Sequence, residues 1–281
     1  MTIKRCRLML ENHTLSADSI TVSPAPLAGY PASNLADPDR TKLCKVSGSS
    51  MTITIRLSQT PWVQALVLTG LDYPVTAQAR LQGNSEDVWT SPAYDSGLFD
   101  AWPQSYVMGA REFGEAGMGG YVAEPYHRPV VVLYIGQLLT YEYYRVTITD
   151  STASTIALGI AALVPMVEMN RNFTDGWSLR PVDTTDIRRA TSGQPKTGRP
   201  GTRYEVADLD FKNVAHYEAL EMHSHLKSLG QGQYFFIAMH PEDPSGLEPF
   251  TTLYGRAAAY SGLRVPGANR ADFKLTFEET P

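Results

Sequence analysis

Side chains alternate with a period of two in several short stretches of this chain, and a chain written that way has few folds open to it. Thr52-Ile53-Thr54-Ile55-Arg56-Leu57 sets Ile53, Ile55 and Leu57 on one face and polar residues on the other. Tyr143 to Thr149 repeats the pattern with Tyr144, Val146 and Ile148. Ser19 to Val22, Ala65 to Thr69, Ala79 to Gln82, Val130 to Ile135 and Ile156 to Val164 are further β-branched or aliphatic runs. Turn signals such as Ala28-Gly29-Tyr30-Pro31 and Asp72-Tyr73-Pro74 separate them, and no helical periodicity of convincing length precedes residue 165. The pattern predicts an antiparallel β-sandwich. Its 22 glycines and 19 prolines suit many strands joined by short turns.

The remainder reads differently. Tyr204 to Phe211 is strand-like, and a helix follows, with Asn213 as the expected N-cap and Gly230 as the stop. Val214, Tyr217, Leu220, Met222, Leu226 and Leu229 form its apolar stripe. Three strands come next: Gln233 to Met239, Phe250 to Ala258, and Asp272 to Glu278 with Phe273, Leu275 and Phe277 inward. One helix on an antiparallel sheet is an α+β sandwich. A length of 281 residues accommodates two such domains, placed at 1–165 and 166–281, with the crossover at Pro165 to Asp175.

Two segments fit neither core. Phe99 to Pro129 is glycine-rich and aperiodic, and predicts a long surface loop. It lacks the strand, the helix and the Gly-Lys-Ser/Thr end that a phosphate-binding loop requires. Thr184 to Arg203 holds Arg188, Arg189, Lys196, Arg199 and Arg203 among glycines and prolines, with almost nothing apolar. It predicts an extended hairpin arm or a segment that folds on a neighbour.

Charge and chemistry narrow the function. A net charge of −5 argues against a nucleic-acid-binding domain. Charged residues make up 19%, below the ~25% usual in soluble domains, which fits a surface shared with other subunits. Cys6 and Cys44 match no zinc or redox spacing and predict buried thiols. The longest apolar run, Ile156 to Val167, is broken by Gly159 and Pro165 and falls short of the ~20 residues that cross a bilayer. Leu8-Met9-Leu10 is too short for a signal peptide, so synthesis and assembly in a cytoplasm are expected. His223 and His225 are two apart on a helix and cannot chelate one metal together. Asp37 with Asp39, and Asp183 with Asp186, have no spacing that separates catalysis from turn formation, and no catalytic motif occurs. A non-enzyme without a cofactor is expected, and turn formation outweighs a calcium ion near Asn34, Asp37 and Asp39. Trp89, Tyr94, Trp102, Tyr106, Tyr121 and Tyr126 are the candidates for sugar or partner contact. Against that stands packing, with Trp62 and Trp89 expected to fill the sandwich core.

Gly29-Tyr30-Pro31-Ala32-Ser33-Asn34-Leu35-Ala36-Asp37-Pro38-Asp39-Arg40 resembles the opening of a discoidin-like, galactose-binding-type jelly roll, a domain that recurs in phage tails. Trp62-Val63 with Leu66-Val67-Leu68, Ser91 to Gly97 with Trp102-Pro103, and Tyr144 to Asp150 continue the resemblance over about Ala17 to Val164. Asn172-Phe173-Thr174-Asp175-Gly176-Trp177 and the strand Ala271 to Glu279 resemble minor tail or distal-tail proteins of long-tailed phages. The resemblance implies a tail-tube-like domain that assembles into a hexameric or trimeric ring around the tail channel. The chain would then be a structural adaptor in the virion, joining tail tube and tape measure to the hub and receptor-binding proteins. The alternative it implies is a carbohydrate-binding module for adhesion to host-surface glycan. A ring subunit presents two unlike surfaces to its neighbours, and the arm Thr184 to Arg203 is the candidate interface.

Overall fold

The structure is a computed structural model that describes residues 4–103, 129–189, 194–199, 201–243, 248–267 and 269–280. Its strands are β1 (Arg7–Met9), β2 (Ser19–Ser23), β3 (Cys44–Ser47), β4 (Ser50–Arg56), β5 (Val63–Thr69), β6 (Gln78–Asn84), β7 (Tyr94–Asp100), β8 (Val130–Leu139), β9 (Tyr143–Thr149), β10 (Thr155–Leu158), β11 (Ile160–Val164) and β12 (Val167–Glu168). There follow β13 (Ser178–Asp183), β14 (Ile187–Arg189), β15 (Pro195–Thr197), β16 (Arg203–Ala215), the helix α1 (His216–Leu229), β17 (Tyr234–Ala238), a helical turn Glu248–Thr251, β18 (Thr252–Tyr260), β19 (Arg264–Gly267) and β20 (Arg270–Glu279).

Contacts divide the chain into two units, and the division is not the pair of contiguous segments expected at 1–165 and 166–281. Leu8–Val167 forms one unit together with Ala238–Thr252, while Arg5–Arg7 joins Glu168–Ile237 and the C-terminal strands. Particular bonds account for the exchange. Arg7 Nε pairs with Glu168 at 3.0 Å, and the Cys6 N–H donates to Asn172 at 3.2 Å. In the other direction the Tyr134 hydroxyl donates to Glu248 at 2.6 Å.

The first unit is an antiparallel β-sandwich of jelly-roll type. A five-stranded sheet, β2-β4-β9-β6-β7, faces a three-stranded sheet, β11-β5-β8, and β10 pairs with β3. The alternation seen in the sequence is the packing: Ile53, Ile55, Tyr144, Val146 and Ile148 are fully buried, and they meet Leu66 and Leu68 of β5 in one core cluster. The run Ile156 to Val164 is two strands, because the chain breaks at Gly159. A Cβ on Gly159 would stand 2.3 Å from the Arg40 carbonyl oxygen, and one on Gly70 2.5 Å from the same atom. Only glycine allows these three backbones to meet. Trp62 departs from expectation. It is 65% exposed, since it precedes β5 and the first inward position falls to Val63.

The second unit is an α+β fold on a sheet ordered β17-β18-β20-β16-β13, with β19 also on β20. Phe211 and Phe273 stack at 4.8 Å, and Phe235 meets Phe277 edge-on at 5.0 Å. Helix α1 packs on β16 and β20 through Ala219, Met222, Leu226 and Leu229. Tyr217 and Leu220, placed on the apolar stripe by periodicity, are instead exposed at 65% and 46%. Asn213 is not the N-cap. Pairing of Val214 and Ala215 with β20 carries the strand past it, and it sits at a register shift with φ 59°, which asparagine tolerates. The N-cap is Ala215, without a side-chain bond, while Gly230 ends the helix as expected and its N–H donates to the Leu226 carbonyl. Between β13 and β16, β14 and β15 pair, among the described residues, with each other alone, matching Arg188 with Lys196, so part of Thr184 to Arg203 is a hairpin.

Candidate functional site

The inward half of β4, β9 and β6 makes the core, so the outward half makes a second, polar surface. Register fixes its rows. Thr54, Arg145 and Gln82 lie side by side, as do Thr52, Thr147 and Arg80, and Arg56, Tyr143 and Asn84. On β7 the pairing slips between Arg80 and Gln82, with Gly97 at φ 68° in the bulge, and Asp95 comes to lie opposite Gln82. The Arg80 guanidinium donates through Nε to Asp95 Oδ1 at 2.7 Å and through Nη2 to Oδ2. Gln82 Nε2 donates to the same carboxylate at 3.3 Å. These donors, Arg80 foremost, hold the Asp95 carboxyl down to about 2. Arg56 donates to Glu142 at 2.8 Å and lies 5.6 Å over the Tyr143 ring.

The loop from β6 to β7 brings Trp89 onto this surface. The Asn84 amide donates to the Val88 carbonyl at 2.6 Å, and the Trp89 indole N–H donates to Asp87 at 2.6 Å. The Arg145 guanidinium stands 4.5 Å from the centre of the indole. Trp89 is therefore half-buried on the outer face and does not fill the core, contrary to expectation.

The aromatic set named from sequence does not form one cluster. Tyr94, opposite Gly83, begins β7 and packs against the sandwich core, on the other side of the sheet from Trp89, and burial raises its hydroxyl above the usual range. Trp102 lies beyond the other end of β7. It packs edge-on against Tyr73, with ring centres 6.1 Å apart. Tyr106, Tyr121 and Tyr126 lie outside the described residues, as does most of the loop between Phe99 and Pro129. Arg145, Gln82, Asp95 and Tyr143, which the sequence did not single out, are the residues the sheet does set in neighbouring rows, and of them Arg145 meets Trp89. Their signal was the polar half of the same alternation, but only the cross-strand register makes neighbours of them.

In the arm, Arg188 pairs with Asp186 at 2.7 Å and Arg203 with Asp183 at 2.9 Å. Arg199 is exposed, and the side chains of Arg189 and Lys196 lie outside the described set. From Asp183 to Arg203 two carboxylates meet five cations, so the segment carries +3 and the remainder of the −5 chain carries −8. Ile187 stands 68% exposed on it.

The remaining candidates resolve into structure. Asp37 accepts from Lys42 at 2.5 Å and from the Asp39 N–H at 2.9 Å, while Asp39 accepts from Thr41 and the Asn34 amide donates to Leu43. These are turn bonds. Among the described residues no three His, Cys, Asp or Glu side chains are grouped as metal ligands. His223 lies against Tyr260 with ring centres 5.4 Å apart. Cys6 and Cys44 are buried and unbridged; burial raises both thiols, that of Cys44 to about 11, which suppresses the reactive thiolate. Among the described residues no helix is long and apolar enough to cross a membrane. A cavity of about 280 Å³ is lined by Arg40, Thr41, Leu43, Gly70, Leu71, Asp72 and Pro129.

No protein-family model matches the chain, and no curated protein does. Among solved structures it is similar to the CBM32 module of AlyQ in complex with 4,5-unsaturated mannuronic acid, at 14% identity over 52% of this chain and 94% of that one, with a TM-score of 0.33. It is similar also to chitosan-binding module 1 of the chitosanase/glucanase from Paenibacillus sp. IK-5, at 16% identity over 54% and 98%, with a TM-score of 0.36. A pectin-binding carbohydrate-binding module matches at 13% identity over 52% and 89%, with a TM-score of 0.35. At these identities and scores the matches decide nothing about what this chain binds.

Proposed function

We propose that the chain is a non-catalytic, glycan-binding component of a bacteriophage tail tip, with the outer face of the sandwich's five-stranded sheet as the binding surface. One observation carries the sugar-binding part: the Trp89 indole, bonded to Asp87 and faced by Arg145, borders strands whose outward positions include the half-buried hydroxyls of Thr52, Thr54 and Thr147. A rigid aromatic plane beside a field of short hydrogen-bonding groups suits a ring that is hydroxylated at its rim and apolar on its faces. The experiment is binding of the purified chain to host-surface glycans, with Trp89→Ala expected to abolish it while leaving the unfolding midpoint unchanged.

The tail-tip part rests on a different observation, the hairpin β14–β15, which among the described residues pairs with no other strand and carries +3 on an acidic chain. An arm of that kind suits attachment to an acidic neighbouring subunit in a homo-oligomeric ring, with the jelly roll turned toward the host. The chain would act in the virion, after assembly in the host cytoplasm. Deletion of Arg188–Gly201 should leave both units folded and stop tails from maturing. Normal particles from that deletion would refute the role of the arm.

A further inference from the structure

We infer that the glycan bound on the outer sheet face is acidic, its carboxylate taken by Arg145; this inference rests on the glycan-binding reading above. Three arginines stand on this face, and two are engaged. Arg56 donates to Glu142 at 2.8 Å, and Arg80 forks onto both oxygens of Asp95. Arg145 has no hydrogen bond or ion pair among the described residues, and its Nε is shielded from solvent without a partner. Asp87 acts on it only through space, its Oδ1 already accepting the Trp89 indole proton at 2.6 Å. The shielded Nε is out of a ligand's reach; the terminal Nη groups, not buried and without a hydrogen bond among the described residues, are the donors a ligand can meet.

Geometry gives the class of acceptor. With its guanidinium 4.5 Å over the indole, Arg145 keeps its N–H fork for a planar, bidentate partner, which a carboxylate supplies and a hydroxyl does not. Its cross-strand neighbours are Thr54, whose hydroxyl can meet a ring hydroxyl, and the buried Gln82, bonded to Asp95, and they form no apolar pocket for a peptide side chain. Together they fit a uronate-type residue: carboxylate on Arg145, ring on or beside Trp89, hydroxyls on the threonine positions.

The test uses immobilised polyuronates of the gluco, galacto and manno series, each beside its carboxyl-reduced polymer, which keeps every hydroxyl and removes the charge. The full chain should bind at least one polyuronate about tenfold or more tightly than the reduced form. Arg145→Gln should bring the two to the same level, and Arg145→Lys should restore part of the difference. Arg145 is on the outer face, so circular dichroism and the unfolding midpoint should match those of the parent chain. Equal binding to acidic and reduced polymers, lost in Trp89→Ala, would overturn the acidic ligand and keep the glycan site. Displacement by polyglutamate as effective as by polyuronate would overturn the saccharide and point to an acidic peptide. No binding of the folded chain to any polymer of the panel would overturn both this inference and the reading it rests on.

Discussion

Guanidinium groups gather in two regions of this molecule, and the support beneath them differs. On the sandwich, Arg56, Arg80 and Arg145 project from strands whose alternate residues, Ile55, Leu81, Tyr144 and Val146, are buried. On the hairpin β14–β15, Arg188 neighbours Ile187, whose side chain is 68% exposed, and among the described residues the two short strands have no partner sheet. A group borne on a core-backed strand is held in place before a ligand arrives; a group on a coreless arm can take up the shape of what it meets. The first arrangement suits recognition of a small rigid ligand. The second suits docking to another subunit.

The contrast breaks most readily at the core. Ile148→Ala removes a fully buried side chain beneath the polar face and should cost about 2–5 kcal/mol in denaturant unfolding. Deleting the arm should leave that same transition where it is. An arm deletion as costly as Ile148→Ala would mean that the arm belongs to a core and that the two regions do not differ in kind.

A smaller effect follows from Asp95. Its carboxyl is held at about 2, below the ordinary 3.8, mainly by Arg80. A depressed carboxyl contributes stability above its ordinary value, and loses it as pH falls from about 4 through 2. Carboxyl NMR titration should therefore find Asp95 near 2, and Arg80→Gln should return it toward 3.8. An Asp95 that titrates at the ordinary value in the parent chain would show that the face is not held by this pair. Smaller still is Arg188→Ala on the arm. Its pair with Asp186 is 79% and 45% exposed, so unfolding should shift by less than ~1 kcal/mol.

Legibility in the sequence followed the range of the interactions. Ile53, Ile55, Tyr144, Val146, Ile148, Phe273, Leu275 and Phe277 could be placed inward because alternation is local, and each is buried. Gly230 was legible as a helix stop for the same reason. Asn213 was misplaced because the pairing of β16 with β20 overrode a local capping preference. Tyr217 and Leu220 were misplaced because the sheet covers only a narrow stripe of the helix. The tryptophans were misplaced because size was read as burial, whereas Trp62 and Trp89 lie just outside strands. The polar face around Arg145 could not be assembled at all without the register of four strands and the bulge at Gly97.

One measurement bears most directly on the polar face as a glycan site: equilibrium binding of the chain to host-surface glycans, compared among the parent, Trp89→Ala and Trp62→Ala. Both tryptophans are accessible, Trp62 at 65%, but only Trp89 stands over the five-stranded sheet. Loss of binding by about tenfold or more in Trp89→Ala, with Trp62→Ala unchanged, is the result expected of a built site. Equal binding by all three, or loss in Trp62→Ala alone, would contradict it.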